Sequence, residues 1–360
     1  MSRALAPALL LPLLACASPP PPPPQPPPVV EEAEPEPEPQ GPQSWDEVAE
    51  AYGHKCPGPF FELPIATNID VAGRAFTITG STISLAGKWR GPLKIGVLGA
   101  IKDADADTRK NIRKAAREFR RLGVHIVLAN GDIVGDETGD LPKVFAMLGE
   151  ELKVPVFAHS GNYEWTSAFT EAIVEAQQRH PHIFNANLLR HIDLGGVHLF
   201  TLPGWSVRKF VKPAACFYNT SHVDELKAQL TPLVAKGEVV IVSAHGPPRG
   251  RGKQSLDYAF EAGNVGDEDL AALLRDVPVR FGIFSHILEA GGRATSDVTR
   301  QPLVKLPMRK AATTLYANVG SSSSFPYAML DKRTSRGMAA VFSIDDTTKG
   351  TARVTFLKLK

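Results

Sequence analysis

Little in this sequence leans toward one charge sign. With 40 Lys and Arg against 38 Asp and Glu, the formal net charge is +2, and nothing in that balance calls for a nucleic-acid partner. Long apolar runs are also missing at the start. Ala4 to Leu14 is broken by Pro7 and Pro12, too short for a bilayer, which takes about 20 residues, and too proline-broken for a core helix. No internal repeat is visible, so one domain is the economical expectation. There is no nucleophile elbow and no Ser/His/Asp pattern, which leaves serine-type hydrolysis without support. Cysteines number three.

What is present begins with 43% hydrophobic residues, enough for a sizeable core. Arg3 precedes the early apolar run, which ends Leu13-Leu14-Ala15-Cys16, the order of a secretory signal peptide over residues 1–15. That ending is similar to a bacterial lipoprotein cleavage box, which implies Cys16 as the lipidated first residue of the mature chain and the membrane as a partner through that anchor. Ala17 and Ser18 follow, not aspartate. In the Gram-negative pattern this implies the outer membrane, facing the periplasm. Residues 16–43 form a Pro-rich linker, with Pro19 to Pro24 continuous and Glu and Pro alternating from Glu34 to Pro39. Such a stretch cannot bury enough apolar surface to fold and is expected as a semi-rigid stalk. Cys56 and Cys216 are left in a compartment where disulfides persist. A bridge between them and a pair of buried thiols are both open.

Residues 44–92 read as an N-terminal extension: a short helix capped by Ser44, then a hairpin from Phe76 to Leu85 turning at Gly80-Ser81. From 93 to 360 short apolar strands alternate with amphipathic helices. Strands are expected at Lys94 to Leu98, His125 to Ala129, Val154 to Ala158, Val197 to Leu202, Val239 to Ser243, Phe281 to Phe284 and Thr314 to Ala317. A closing hairpin joins Ala339 to Ile344 with Arg353 to Leu357. The pattern predicts an α/β fold with buried, mixed sheets sandwiched by helices. In such folds ligands sit beyond the carboxyl ends of the strands.

Those ends carry Gly99-Ala100-Ile101-Lys102, Asn130-Gly131-Asp132, Ser160-Gly161-Asn162-Tyr163-Glu164, Ala244-His245-Gly246 and Ser285-His286-Ile287-Leu288. Taken in order they resemble the signature of the calcineurin-like metallophosphoesterases, namely DxH, GD, GNH(D/E), an isolated His and GHxH. The resemblance implies the α/β/β/α fold of that family and phosphoric-ester hydrolysis by two metal ions. Carried over position by position, it makes Asp132 the bridging ligand and Asn162, His245 and His286 the private ligands of one ion. For the other ion Ala100, Lys102 and Leu288 stand where Asp, His and His belong, and Tyr163 replaces the His that protonates the leaving group. A cation needs several donors to repay its dehydration, so three losses leave no second site. Losing a divalent ion and one carboxylate removes one net positive charge, and a lysine restores it. A Lys102 to Asp132 salt bridge is therefore expected.

Two functions follow. One is a hydrolase working with a single divalent ion of the Mn, Fe or Zn class at Asp132, Asn162, His245 and His286, with Lys102 neutralising charge and Tyr163 donating a proton. The other is an inactive pseudoenzyme binding a phosphorylated small molecule or an envelope component. Arg249 and Arg251, in a Gly-rich basic loop after His245, read either as phosphate ligands or as a solvated loop. Asp103 to Asp107 lacks the Gly and Glu of an EF-hand and reads as the acidic start of a helix. Trp165 and Trp205 read as cleft or core.

Overall fold

The computed structural model describes residues 42–135, 138–298 and 303–359. The expected signal peptide, Cys16 and most of the Pro-rich linker lie outside the described residues. Among the described residues no helix is long and apolar enough to cross a membrane.

Two mixed sheets carry the chain. In spatial order the six-stranded sheet runs Thr351–Lys358, Met338–Asp346, Leu93–Gly99, Ile126–Asn130, Val156–His159 and Ile183–Asn185. The last four of these are parallel, and the C-terminal hairpin joins antiparallel to Leu93–Gly99. The nine-stranded sheet has Val197–Leu202, Val239–Ala244, Phe281–Phe284 and Leu315–Asn318 as parallel neighbours. Strands such as Ile126–Asn130 and Val239–Ala244 are buried along their whole length because both faces are covered.

Ile95, Val97, Leu128 and Phe157 of one sheet meet Leu199, Ile241, Ile283 and Ala317 of the other in the central core. Helices Ala106–Leu122, Leu141–Glu151 and Thr166–Gln177 pack in a second cluster on the outer face of the six-stranded sheet. Thr220–Ala235 and Glu268–Asp276 do the same for the nine-stranded sheet. The result is the α/β/β/α sandwich the strand and helix alternation predicts.

Local chemistry explains the elements that lead to the site. Ala106–Leu122 opens on Asp105, whose Oδ1 accepts the Thr108 N–H at 2.6 Å, and closes at Gly123 with φ 69°. Asp105 is thus the cap of a helix whose first turn holds Asp107, the acidic helix start their sequence suggests. Within the segment 44–92, Thr82–Leu85 pairs in parallel with His191–Asp193 and brings its hairpin into the nine-stranded sheet. Cys56 and Cys216 are joined as a disulfide, with Cα atoms 5.0 Å apart across 160 positions of sequence.

Candidate metal centre

The turns after five strands converge where the carboxyl ends of the two sheets meet. Leu93–Gly99 leads into Lys102, Ile126–Asn130 into Asp132, Val156–His159 into Asn162, Val239–Ala244 into His245 and Phe281–Phe284 into His286. Four non-glycine residues here have left-handed backbone: Ala100 (φ 43°), Lys102 (72°), Asp132 (52°) and His286 (57°). Each such conformation costs on the order of 1–3 kcal/mol and persists only where its surroundings enforce it. Here the enforcement is a set of loop-to-loop hydrogen bonds, Ala100 N to Gly131 O at 3.2 Å, Lys102 N to Asp132 O at 3.1 Å and Ser285 N to His245 O at 2.9 Å. Two glycines let the side chains close in. A Cβ at Gly131 would run into the His245 ring, and one at Gly161 would lie 2.6 Å from Asp132 Oδ1.

Outer contacts aim the donors. Asn162 Nδ2 donates to the Phe210 carbonyl at 2.6 Å, so its Oδ1 faces inward, 3.2 Å from His245 Nε2. His245 Nδ1 faces the Asn130 carbonyl at 3.4 Å, which places its hydrogen there and turns Nε2 to the centre, 3.2 Å from Asp132 Oδ1. His286 stands against Trp205 and His245, with ring centroids 4.5 and 4.7 Å away. Its Nδ1, like Asp132 Oδ1, is buried without a hydrogen-bond partner. One ligand atom each from Asp132, His245 and His286 lie within 4.8 Å of one another. Two orphaned polar atoms among converging oxygen and imidazole donors are what a divalent cation satisfies, so the residues fit such an ion.

Lys102 lies on the other side of the carboxylate, its Nζ 2.5 Å from Asp132 Oδ2, as the charge argument expects. Burial alone would lower the Lys102 pKa, but Asp132 outweighs it and holds the ammonium above its ordinary 10.5. Burial likewise pushes Asp132 upward, while Lys102 and then His245 overcome it and hold the carboxyl well below the usual range. Burial, and then His245, push His286 down to about 3, leaving it neutral and able to ligate. Ala100 and Leu288, both buried, present no donor.

Glu164 ties the centre together. Fully buried, it accepts the Val134 N–H at 3.0 Å and the Gly161 N–H at 2.7 Å, clamping the turn of Asp132 to that of Asn162. Burial, then the charge on Asp132, raises its pKa.

The centre opens into a cleft of about 810 Å³ walled by Lys102, Tyr163, Trp205, Phe210, Lys212 and Tyr327. Tyr163 presents its ring face to Lys102 Nζ at 4.2 Å and to Lys212 Nζ at 5.4 Å. Trp205 is both core and cleft wall, 1% exposed. Trp165, 53% exposed, lines a different groove. Arg249 and Arg251 do not reach the centre. The bridge between Pro248 and Asp267 ties their loop to the start of Glu268–Asp276, and they line a separate hollow with Glu268 and Arg275. The cleft's cations are instead Lys102, Lys209 and Lys212. Lys209, Phe210, Lys212, Phe260 and Tyr327 have no strand-end signal in the sequence; a single turn, a hairpin tip and a two-residue strand bring most of them in.

Sheet order and helix layers give an α/β/β/α sandwich with the candidate donors beyond the strand ends, the arrangement the sequence resemblance implies. No protein-family model and no curated protein matches the chain. Solved structures do. One aligns with TM-score 0.51 and 15% identity, over 75% of this chain and 100% of its own. The protein TT1561 of Thermus thermophilus aligns with TM-score 0.48 and 12% identity, over 74% of this chain and 99% of its own. A dimetal phosphatase from Danio rerio aligns with TM-score 0.46 and 14% identity, over 75% and 100%. At these identities the likeness is one of fold.

Proposed function

We propose that this chain holds one divalent metal ion between Asp132, Asn162, His245 and His286 and uses it to bind a phosphorylated ligand, with Lys102 in the place of a second ion. The division of labour at Asp132 carries this reading. Its Oδ2 is engaged by Lys102 at 2.5 Å, while its Oδ1, buried and without a hydrogen bond, faces the other donors. A divalent ion held there supplies charge and Lewis acidity toward a phosphoryl oxygen. The Lys102 ammonium adds a second, fixed positive charge for the same anion. Ala100, Leu288 and Tyr163 stand where the resemblance calls for a carboxylate and two imidazoles, so binding is better supported than rapid turnover. A one-metal hydrolase is the second reading, favoured by two phenols, Tyr163 and Tyr327, on the cleft wall. The Leu-Leu-Ala-Cys ending supports placing the site in the periplasm on an outer-membrane lipid anchor at Cys16; fractionation after metabolic lipid labelling tests that.

Metal content and hydrolysis of a chromogenic phosphodiester test the site. The natural chain is compared with His286→Ala and with the combined Ala100→Asp, Lys102→His, Tyr163→His and Leu288→His variant. Retention of one ion by the natural chain, its loss in His286→Ala, and hydrolysis only in the combined variant are expected. Hydrolysis by the natural chain that His286→Ala abolishes favours the second reading. A natural chain that takes up no divalent ion overturns both.

A further inference from the structure

The cleft beside the metal centre carries two phenylalanines that water reaches. Phe210 is 53% exposed and Phe260 46% exposed, and both line the cleft that Asp132, Asn162 and His286 open into. Isolated exposed phenylalanines are common on protein surfaces and need no ligand. These two differ because the segments that present them are built onto the centre itself.

Phe210 ends the short turn Arg208–Phe210. Its carbonyl accepts the Asn162 side chain at 2.6 Å, and the Lys212 N–H donates to the Asn162 carbonyl at 3.0 Å. The segment is thus hydrogen-bonded twice to Asn162, through Phe210 and Lys212, and Asn162 is the residue that supplies an inner donor. Phe260 is at the tip of a hairpin whose strands are Tyr258–Ala259 and Gly263–Asn264. That hairpin packs on the turn Leu288–Ala290, just beyond His286. Its base is stiffened by buried Asp257, which accepts from Ser255 Oγ at 2.6 Å, Asn264 Nδ2 at 2.7 Å and Gly266 N at 2.9 Å. The charges that accompany these rings are also placed. Lys209 Nζ lies 4.8 Å from the Phe210 ring centre, and Lys102 and Lys212 both lie over Tyr163.

We propose that the ligand of this centre is a phosphate ester bearing a flat aromatic ring, with the phosphoryl group at the ion and Lys102 and the ring against Phe210 and Phe260. This deepens the reading of the preceding subsection and rests on it. The chemistry is that of a pocket with one polar end and one aromatic end. A ring in the ligand covers aromatic surface that otherwise faces water, and its edge-to-face or offset contacts favour it over an aliphatic group of equal size.

The test is calorimetric titration of the full-length protein, disulfide intact and supplied with Mn2+, against methyl, cyclohexyl and phenyl phosphate. Phenyl phosphate is expected to bind about tenfold more tightly than methyl phosphate, roughly 1.4 kcal/mol, and more tightly than cyclohexyl phosphate, which is apolar but not flat. Phe210→Ala and Phe260→Leu are each expected to bring the phenyl-to-methyl ratio toward one; the leucine keeps apolar bulk where an alanine risks misfolding. Equal affinity for phenyl and methyl phosphate, equal affinity for phenyl and cyclohexyl phosphate, or a ratio that survives both substitutions overturns the ring site and leaves the metal centre standing. Failure of all three esters to bind overturns the ring site and the phosphoryl-binding reading together.

Discussion

Lys102 and Asp132 form the interaction on which the centre depends most. Their side chains are 12% and 3% exposed, so removing one partner leaves a buried charge without its counterion. Lys102→Met is therefore expected to cost about 3–5 kcal/mol in urea unfolding, and adding Asp132→Asn should restore much of that loss. The pH dependence has two signs. Asp132 has a depressed pKa, so its contribution is present above the ordinary carboxylate value of about 3.9 and is lost as pH falls through the lower folded value. Lys102 has a raised pKa, so its contribution is full below 10.5 and is lost as pH rises through the higher folded value. The natural chain should lose stability at the alkaline end of a pH series of denaturation midpoints. In Lys102→Met that alkaline loss should be smaller.

At the level of elements, each donor is delivered by a turn whose backbone has no slack. Gly131 has φ 67° and no room for a Cβ beside His245. Gly131→Ala should weaken Mn2+ binding by about 10–100-fold, as displaced ligand supports do, with little change in far-ultraviolet circular dichroism. A helix cap that bonds to none of the donors offers a contrast: Asp105→Ala should cost about 1 kcal/mol in unfolding and leave ion affinity alone. The strands that bear the turns were legible in sequence because each is an apolar run between helices. All those expected from Leu93 onward are present with ends within two residues. Ile183–Asn185, His191–Asp193 and Arg293–Thr295 were not, since three residues carry no period. The same division holds for the site. Asp132, Asn162, His245 and His286 follow strands and could be found there. Phe210, Phe260 and Tyr327 come from a one-turn segment, a hairpin tip and a two-residue strand, all too short to carry a period in the sequence. For Arg249 and Arg251 the sequence left two readings open, because charge and glycine content say nothing about which way a loop faces; the Pro248 to Asp267 bridge ties that loop to the start of Glu268–Asp276.

Over the whole molecule, the disulfide reaches the centre from behind. Cys56 Sγ lies 3.3 Å from Ser160 Oγ, two residues before Asn162. The Cys216 carbonyl accepts the N–H of Trp205, whose ring packs on His286. Closing a loop across 160 positions, the bond should contribute about 2–5 kcal/mol, to be read as the shift in urea unfolding between the natural chain and Cys56→Ser with Cys216→Ser. Lys102 has a further consequence at this scale. Because its ammonium pairs with Asp132 at neutral pH, the charge of that buried carboxylate is balanced without a bound cation. Loading and unloading are thereby separated from folding, so a chelator should strip the ion while the melting temperature falls only by the binding contribution. On the proposed one-ion reading, occupancy is then set by the free metal concentration and not by the folding equilibrium.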